Sequence, residues 1–162
     1  MANRPPPTES QQFIAKRRVA RRLALIGAYQ WLITQNEFQE IYLNFQQDKE
    51  LAADFRKCDA AFFHQLLHTV ISSPALIEEQ LSPHLDRKLI QVDPIESAVL
   101  RIATAELLNN PETPYKVVVN EAVNLTKKFG GEQAHKYING VLDKVAAQTR
   151  KAELSAGQTK KQ

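Results

Sequence analysis

The chain is poor in the residues that mark many protein classes: 162 residues hold one cysteine, one methionine, one tryptophan and five glycines. With Cys58 alone no intrachain disulfide can form, which suits a reducing cytoplasm, and the thiol reads as a small core residue. No apolar run reaches membrane-spanning length. The opening MANRPPPTESQQ is polar and Pro-rich, unlike a signal peptide. Alternating strand patterns are missing too, and Val117–Val119 is too short to outweigh its helical surroundings. There is no glycine-rich phosphate loop, nucleophile elbow or recognisable acid pair, so no enzyme chemistry and no cofactor is indicated. Acidic residues are nearly absent from one region. Between Met1 and Trp31 stand Arg4, Lys16, Arg17, Arg18, Arg21 and Arg22 against Glu9 alone, although the net charge of the chain is only +3.

What is present is helical period. Residues 1–10, with three consecutive prolines, are expected to form a disordered arm. A helix from about Gln11 to Thr34 places Phe13, Ala20, Leu23, Ala24, Gly27 and Trp31 on one side and Arg17, Arg18, Arg21 and Arg22 on the other. Gly27 on the apolar side suggests a close helix crossing. Four like charges at one-, three- and four-residue steps repel one another, and no carboxylate lies within helical reach in this segment. Such a face serves either solvation or an anionic partner. The lack of interleaved Glu favours nucleic acid, whose phosphates match guanidinium forks and whose bases stack on rings such as Tyr29. Tyr29 reads equally well as a half-buried core ring.

Phe38, Ile41, Tyr42 and Phe45 define a second helix, and Asp48–Asp54 is partly helical. A further apolar-faced segment, Phe55–Ile71, carries His64 and His68 one turn apart. The general base of a HExxH motif is absent and no third ligand is evident, so packing is preferred to metal. Ser73-Pro74 and Asp93-Pro94-Ile95-Glu96 are helix starts, the second the clearest in the chain. The helix after Asp93 turns Ile95, Val99, Ile102 and Ala103 inward. Arg101 and Glu106 interrupt it, as a rim or buried ion pair would. Thr113–Lys144 reads as a helical hairpin, capped by Thr113 with Pro114 first in the helix and turned at Gly130-Gly131. Val118, Ala122, Leu125 and Phe129 face inward from its first helix, Ile138, Val141 and Leu142 from its second. Glu121 within VVVNEAV reads as structural rather than as a general acid. The hairpin is expected to grip the apolar flank of the opening helix and leave the arginine row in solvent.

Several of these stretches resemble the NusB family of bacterial transcription antitermination factors. They are Arg17-Arg18-x-Ala20-Arg21, Tyr29-x-Trp31, AVLRIATAEL at Ala98–Leu107 and, above all, PYKVVVNEAVNLTKKFGGEQAHKYINGVLDK at Pro114–Lys144. The similarity runs from about Lys16 to Arg150. It implies an all-α bundle of about seven helices in two subdomains, 11–72 and 73–150; the flexible basic tail expected at 151–162 and the Pro-rich start have no counterpart in the family. It also implies a non-catalytic protein that binds boxA RNA together with the ribosomal protein NusE; the cytoplasmic setting follows from the lone cysteine, and no metal is expected from the residues. Such proteins join the RNA polymerase elongation complex and keep it from terminating. Family members occur as monomers and as homodimers. By position the resemblance assigns RNA contacts to Arg17, Arg18, Arg21 and Tyr29, with Arg22 as a local addition. A second RNA patch falls on Lys128, Gln133, His135, Lys136 and Tyr137, although Tyr137 also lies on the core stripe. The NusE-facing surface falls around His84, Arg87 and Glu96. A protein-only helical adaptor is the rival reading.

Overall fold

The computed structural model describes residues 3–159. Among them are nine α-helices: α1 (Glu9–Thr34), α2 (Phe38–Gln47), α3 (Lys49–Phe55), α4 (Ala60–Ser72), α5 (Pro74–Leu81), α6 (Pro94–Asn109), α7 (Tyr115–Phe129), α8 (Ala134–Thr149) and α9 (Lys151–Thr159). Two 3-10 turns, Ser82–His84 and Leu89–Gln91, bridge α5 to α6. The described residues contain no strand.

Local chemistry sets the helix ends. Thr8 caps α1, accepting from Gln11 N at 3.1 Å while the Gln11 side chain accepts from Thr8 N at 2.9 Å. That reciprocal pair starts the helix at Glu9, so residues 9 and 10 belong to it and not to the expected arm. Asp93 caps α6 through Ile95 N and Glu96 N, with Pro94 in the first turn. Helix α7 begins one residue later than the sequence suggests. Pro114 holds the cap position, and Thr113 Oγ1 instead accepts from Arg17 Nη1 at 3.4 Å. Neither glycine of the hairpin turn is left-handed. Gly130 is extended, at φ −94°, and what it supplies is room, since a Cβ there would lie 2.8 Å from Thr126 O. The left-handed cap is at Gln35, φ 59°, which ends α1.

Helix α6 is the axis of the molecule. Every residue from Ser97 to Leu107 is buried. A helix apolar on only one stripe could not be covered all round, and the small Ala98, Ala103 and Ala105 let its neighbours approach. The α7–α8 hairpin packs on α6, with Val118, Val119, Ile138 and Leu142 among its buried residues, and α1 packs on α6 as well. The hairpin's broader contact is thus with α6, and it meets α1 along an edge, at Arg18–Glu121 and at the Tyr29–Phe129 slot. Helix α1 crosses α4 closely at Gly27, where a Cβ would meet Leu67 Cδ2 at 2.7 Å. The glycine is there for that approach. Buried residues from both halves of the chain join in one cluster.

The C-terminal segment departs from expectation. Residues 151–159 are helical, not a flexible tail, and Glu153 ties them back by accepting from Tyr115 N at 2.9 Å and Arg150 Nη1 at 2.7 Å. Lys160 and Lys161 lie outside the described residues. Arg150, the last residue of the second expected subdomain, is buried. It donates to the carbonyls of Leu107, Asn110 and Thr113 at 2.8, 2.8 and 2.9 Å, and so satisfies the backbone between α6 and α7.

Candidate nucleic-acid interface

The four arginines of α1 do not form a free row. Each meets a carboxylate carried by another part of the chain. Arg21 is 5% exposed and forms a two-pronged pair with Glu106 of α6, Nε to Oε1 at 2.8 Å and Nη2 to Oε2 at 2.6 Å. Arg17 lies over the Phe62 ring at 4.0 Å, with Asp59 at 3.6 Å and Glu112 at 4.0 Å. Arg18 Nε donates to Glu121 of α7 at 3.0 Å, and Arg22 Nη2 pairs with Asp54 of α3 at 3.1 Å. The expectation of a solvent-facing row is corrected accordingly, most firmly for Arg21, which is an internal residue. The physical reason is long-range pairing: the partners are 32 to 103 positions away in sequence, beyond the reach of any helical pattern.

Two of the arginines still face outward. Arg18, whose side chain is 61% exposed, and half-buried Arg22 line a cleft of about 200 Å³ between α1 and α7. Its other wall carries Glu121, Asn124 and Lys128, so one residue of the second expected patch comes beside the first. Next to it opens a wholly apolar slot of about 150 Å³, formed by Leu25, Ile26, Tyr29, Ile95 and Phe129. Tyr29 is 40% exposed and Phe129 38%. Phe129 was expected in the core. It is instead an outward ring, with Lys128 Nζ 5.5 Å from its centroid. Cations beside an apolar slot with two accessible rings can hold a phosphate chain and one unstacked base. Asn124 and Phe129 are the members that sequence reasoning missed. The signal for Phe129 was its place at the end of α7, directly before the glycine turn.

The rest of the second patch lies around the start of α8. Gln133 and Lys136 are exposed and His135 is half-buried. Tyr137 points elsewhere: its hydroxyl donates to Asp86 Oδ1 at 3.0 Å, and Arg87 stands over its ring at 5.4 Å. Arg87 also grips Asp86, at 2.8 and 3.0 Å. Hydrogen bonds from Arg87 and then Tyr137 hold the Asp86 carboxyl at about 2, well below its ordinary 3.8, and burial works in the opposite direction. Tyr137 thus joins the surface expected to face a protein partner. Burial and neighbouring Asp93 push the Glu96 carboxyl up while Arg87 pulls it down. His84 is half-buried beside this group, and its Nε2 is buried.

His64 and His68 stack on each other at 5.6 Å and meet the Phe38 ring edge-on, a packing arrangement. Among the described residues no three His, Cys, Asp or Glu side chains come together as a metal set. No single helix there is long and apolar enough to cross a membrane.

The sequence model of the NusB family matches residues 18–147. A transcription antitermination protein NusB from Azoarcus sp. (strain BH72) is 43% identical over 145 residues, 90% of this chain and 92% of that protein. One from Burkholderia vietnamiensis (strain G4 / LMG 22486) is 47% identical over 142 residues, 86% and 94%. In structure, the chain resembles T. maritima NusB with a TM-score of 0.67 and 24% identity, covering 81% of this chain and 90% of that one. It also resembles a chain from the antitermination factors NusB and NusE in complex with dsRNA, with a TM-score of 0.68 and 22% identity, covering 81% and 96%. These two likenesses establish the fold.

Proposed function

This chain belongs to the NusB family, and from that premise we propose that it is a non-catalytic, cytoplasmic RNA-binding transcription antitermination factor. Its ligand is a boxA-type single-stranded RNA, bound together with NusE, and its role is to keep RNA polymerase processive on ribosomal RNA operons. One observation carries the reading: Arg18, Arg22 and Lys128 converge on a cleft beside the Tyr29–Phe129 slot. Phosphates run along the cations and one base enters the slot. Gln133, His135 and Lys136 extend the path around the start of α8. His84, Arg87 and Glu96 form the NusE-facing side, with Tyr137 at the seam. Arg17 and Arg21 serve this interface by fixing α1 against α4 and α6.

The test is binding of a boxA-type oligonucleotide across a salt series, with and without NusE. Three to five phosphate contacts give a log–log slope of about −2 to −3.5 for a single strand. NusE tightens the complex. A flat response, or equal affinity for duplex DNA, sinks the reading. The pairing of every α1 arginine with a carboxylate of its own chain favours the rival, a protein-only adaptor. Its signature in the same experiment is NusE binding with no RNA retained.

A further inference from the structure

Glu121 stands on a wall between two openings. On one side is the cleft of Arg18, Arg22 and Lys128. On the other is a second hollow of about 200 Å³ that holds Arg17 and the exposed Phe13 and Ile14. Glu121 Oε1 accepts from Arg18 Nε at 3.0 Å, and its side chain is 13% exposed against 61% for Arg18. A carboxylate offers a guanidinium the same kind of paired oxygens as a phosphate. We propose that Glu121 is an affinity-setting residue, an internal stand-in for phosphate that holds Arg18 until RNA displaces it. The inference rests on the RNA-binding reading above.

The other four carboxylates do not qualify, and Glu112, 60% exposed and 4.0 Å from Arg17, is already open to water. Glu106 is sealed inside the protein with Arg21, so no RNA reaches that pair. Asp54 is 38% exposed and can turn away into water once Arg22 moves. Asp59 meets Arg17 at 3.6 Å, and that guanidinium is boxed in by Phe62 and Phe13. Glu121 alone faces an exposed partner while being itself largely shielded from water between α7 and α1. After Arg18 swings to a phosphate, the carboxylate stays behind and its charge acts on the bound strand. Every polyanion that uses Arg18 meets that repulsion. A strand that also reaches Arg22 and Lys128 and fills the Tyr29–Phe129 slot overcomes it, and one that cannot is released.

The experiment measures a boxA-type RNA oligonucleotide by fluorescence anisotropy against wild type, Glu121→Gln, Arg18→Ala and the double variant at one salt concentration. Melting temperatures verify the fold. Glu121→Gln is expected to bind roughly fivefold tighter, the scale of one unit charge a few ångströms away in water. Arg18→Ala binds more weakly, and adding Glu121→Gln to it yields a smaller gain than in wild type. Glu121→Ala, which also removes the charge, moves affinity in the same direction and serves if the amide variant is unstable. Folded Glu121→Gln and Glu121→Ala proteins that bind RNA no tighter than wild type overturn the inference and leave the RNA-binding reading standing. Wild type that retains no RNA overturns that reading, and this inference with it.

Discussion

Arg21 and Glu106 meet inside the contact between α1 and α6 through two parallel hydrogen bonds of 2.8 and 2.6 Å, with both side chains nearly sealed from water. A basic residue in the middle of an arginine-rich helix face is thereby a strut, not a ligand. Its geometry fixes the rotation of α1 about its own axis. Arg18, three positions earlier, and Arg22, the next residue, are then set toward the cleft shared with α7. The acid that interrupts the apolar face of α6 and the base that interrupts the free face of α1 account for each other.

Removing one partner of that pair leaves a buried charge alone. Arg21→Ala is expected to lower unfolding stability by about 3–5 kcal/mol. Arg18→Ala, which breaks an exposed pair, changes it by roughly 0–1 kcal/mol. Urea denaturation of the two variants measures the difference. Equal, small losses would show that Arg21 reaches solvent.

Arg150 invites a similar comparison. Its guanidinium satisfies three backbone carbonyls and Glu153 at the junction of α6, α7 and α9. Arg150→Lys keeps the charge but not the fork, so the carbonyls of Leu107, Asn110 and Thr113 cannot all be reached. A loss of about 1–3 kcal/mol is expected, the scale of a buried polar group left unmatched. Faster amide exchange at Tyr115, whose N–H is held by Glu153, should accompany it. An unchanged melting curve refutes the role.

RNA binding by cations and by rings is separable by salt. Arg22→Ala and Lys128→Ala each remove one cation from the cleft and should flatten the log–log salt dependence by about 0.7 for each phosphate left without its cation. Phe129→Ala removes a stacking surface instead, weakening binding by roughly 1–3 kcal/mol with the slope preserved. Competition titrations at three salt concentrations distinguish the two effects. A Phe129 variant that changes the slope and not the affinity contradicts the slot.

Periodicity made most of the fold legible. The cap at Asp93, the apolar stripe of α8 and the glycine at the α1–α4 crossing all express rules that act within a few residues. Tertiary pairing was illegible for the opposite reason. Asp54, Asp59, Glu106 and Glu121 reach the α1 arginines only after the chain has folded, and a helical wheel drawn on Gln11–Thr34 contains none of them. The same blindness hid Phe129: its place at the end of α7 hinted at exposure, but nothing local shows that the helix ends beside Tyr29. The start of α1 was lost to composition: three prolines suggest disorder, yet Thr8 just after them is a strong cap.

Asp86 gives a prediction in pH. Its carboxyl sits at about 2 in the folded chain against an ordinary 3.8, chiefly because of the Arg87 hydrogen bonds and next because of the Tyr137 hydroxyl. A depressed folded value means the ionised form is favoured by folding. The contribution is therefore present above the unfolded value near 3.8 and fades as pH falls toward about 2. The group is exposed, so salt screens its pairing with Arg87 and should raise the midpoint. Carbon-detected NMR of the Asp86 carboxyl is expected to show a midpoint near 2, moved toward 3.8 by Arg87→Ala and by a smaller amount in Tyr137→Phe. Glu96 should respond in the same sense, since Arg87 pulls its carboxyl down and burial pushes it up, so Arg87→Ala raises that titration further. Tyr137 and Arg87 both close on one carboxylate, so the three side chains act as a unit. An Asp86 midpoint near 3.8 in the intact protein would show that the triad does not form in solution, and the seam between the two surfaces would lose its physical basis.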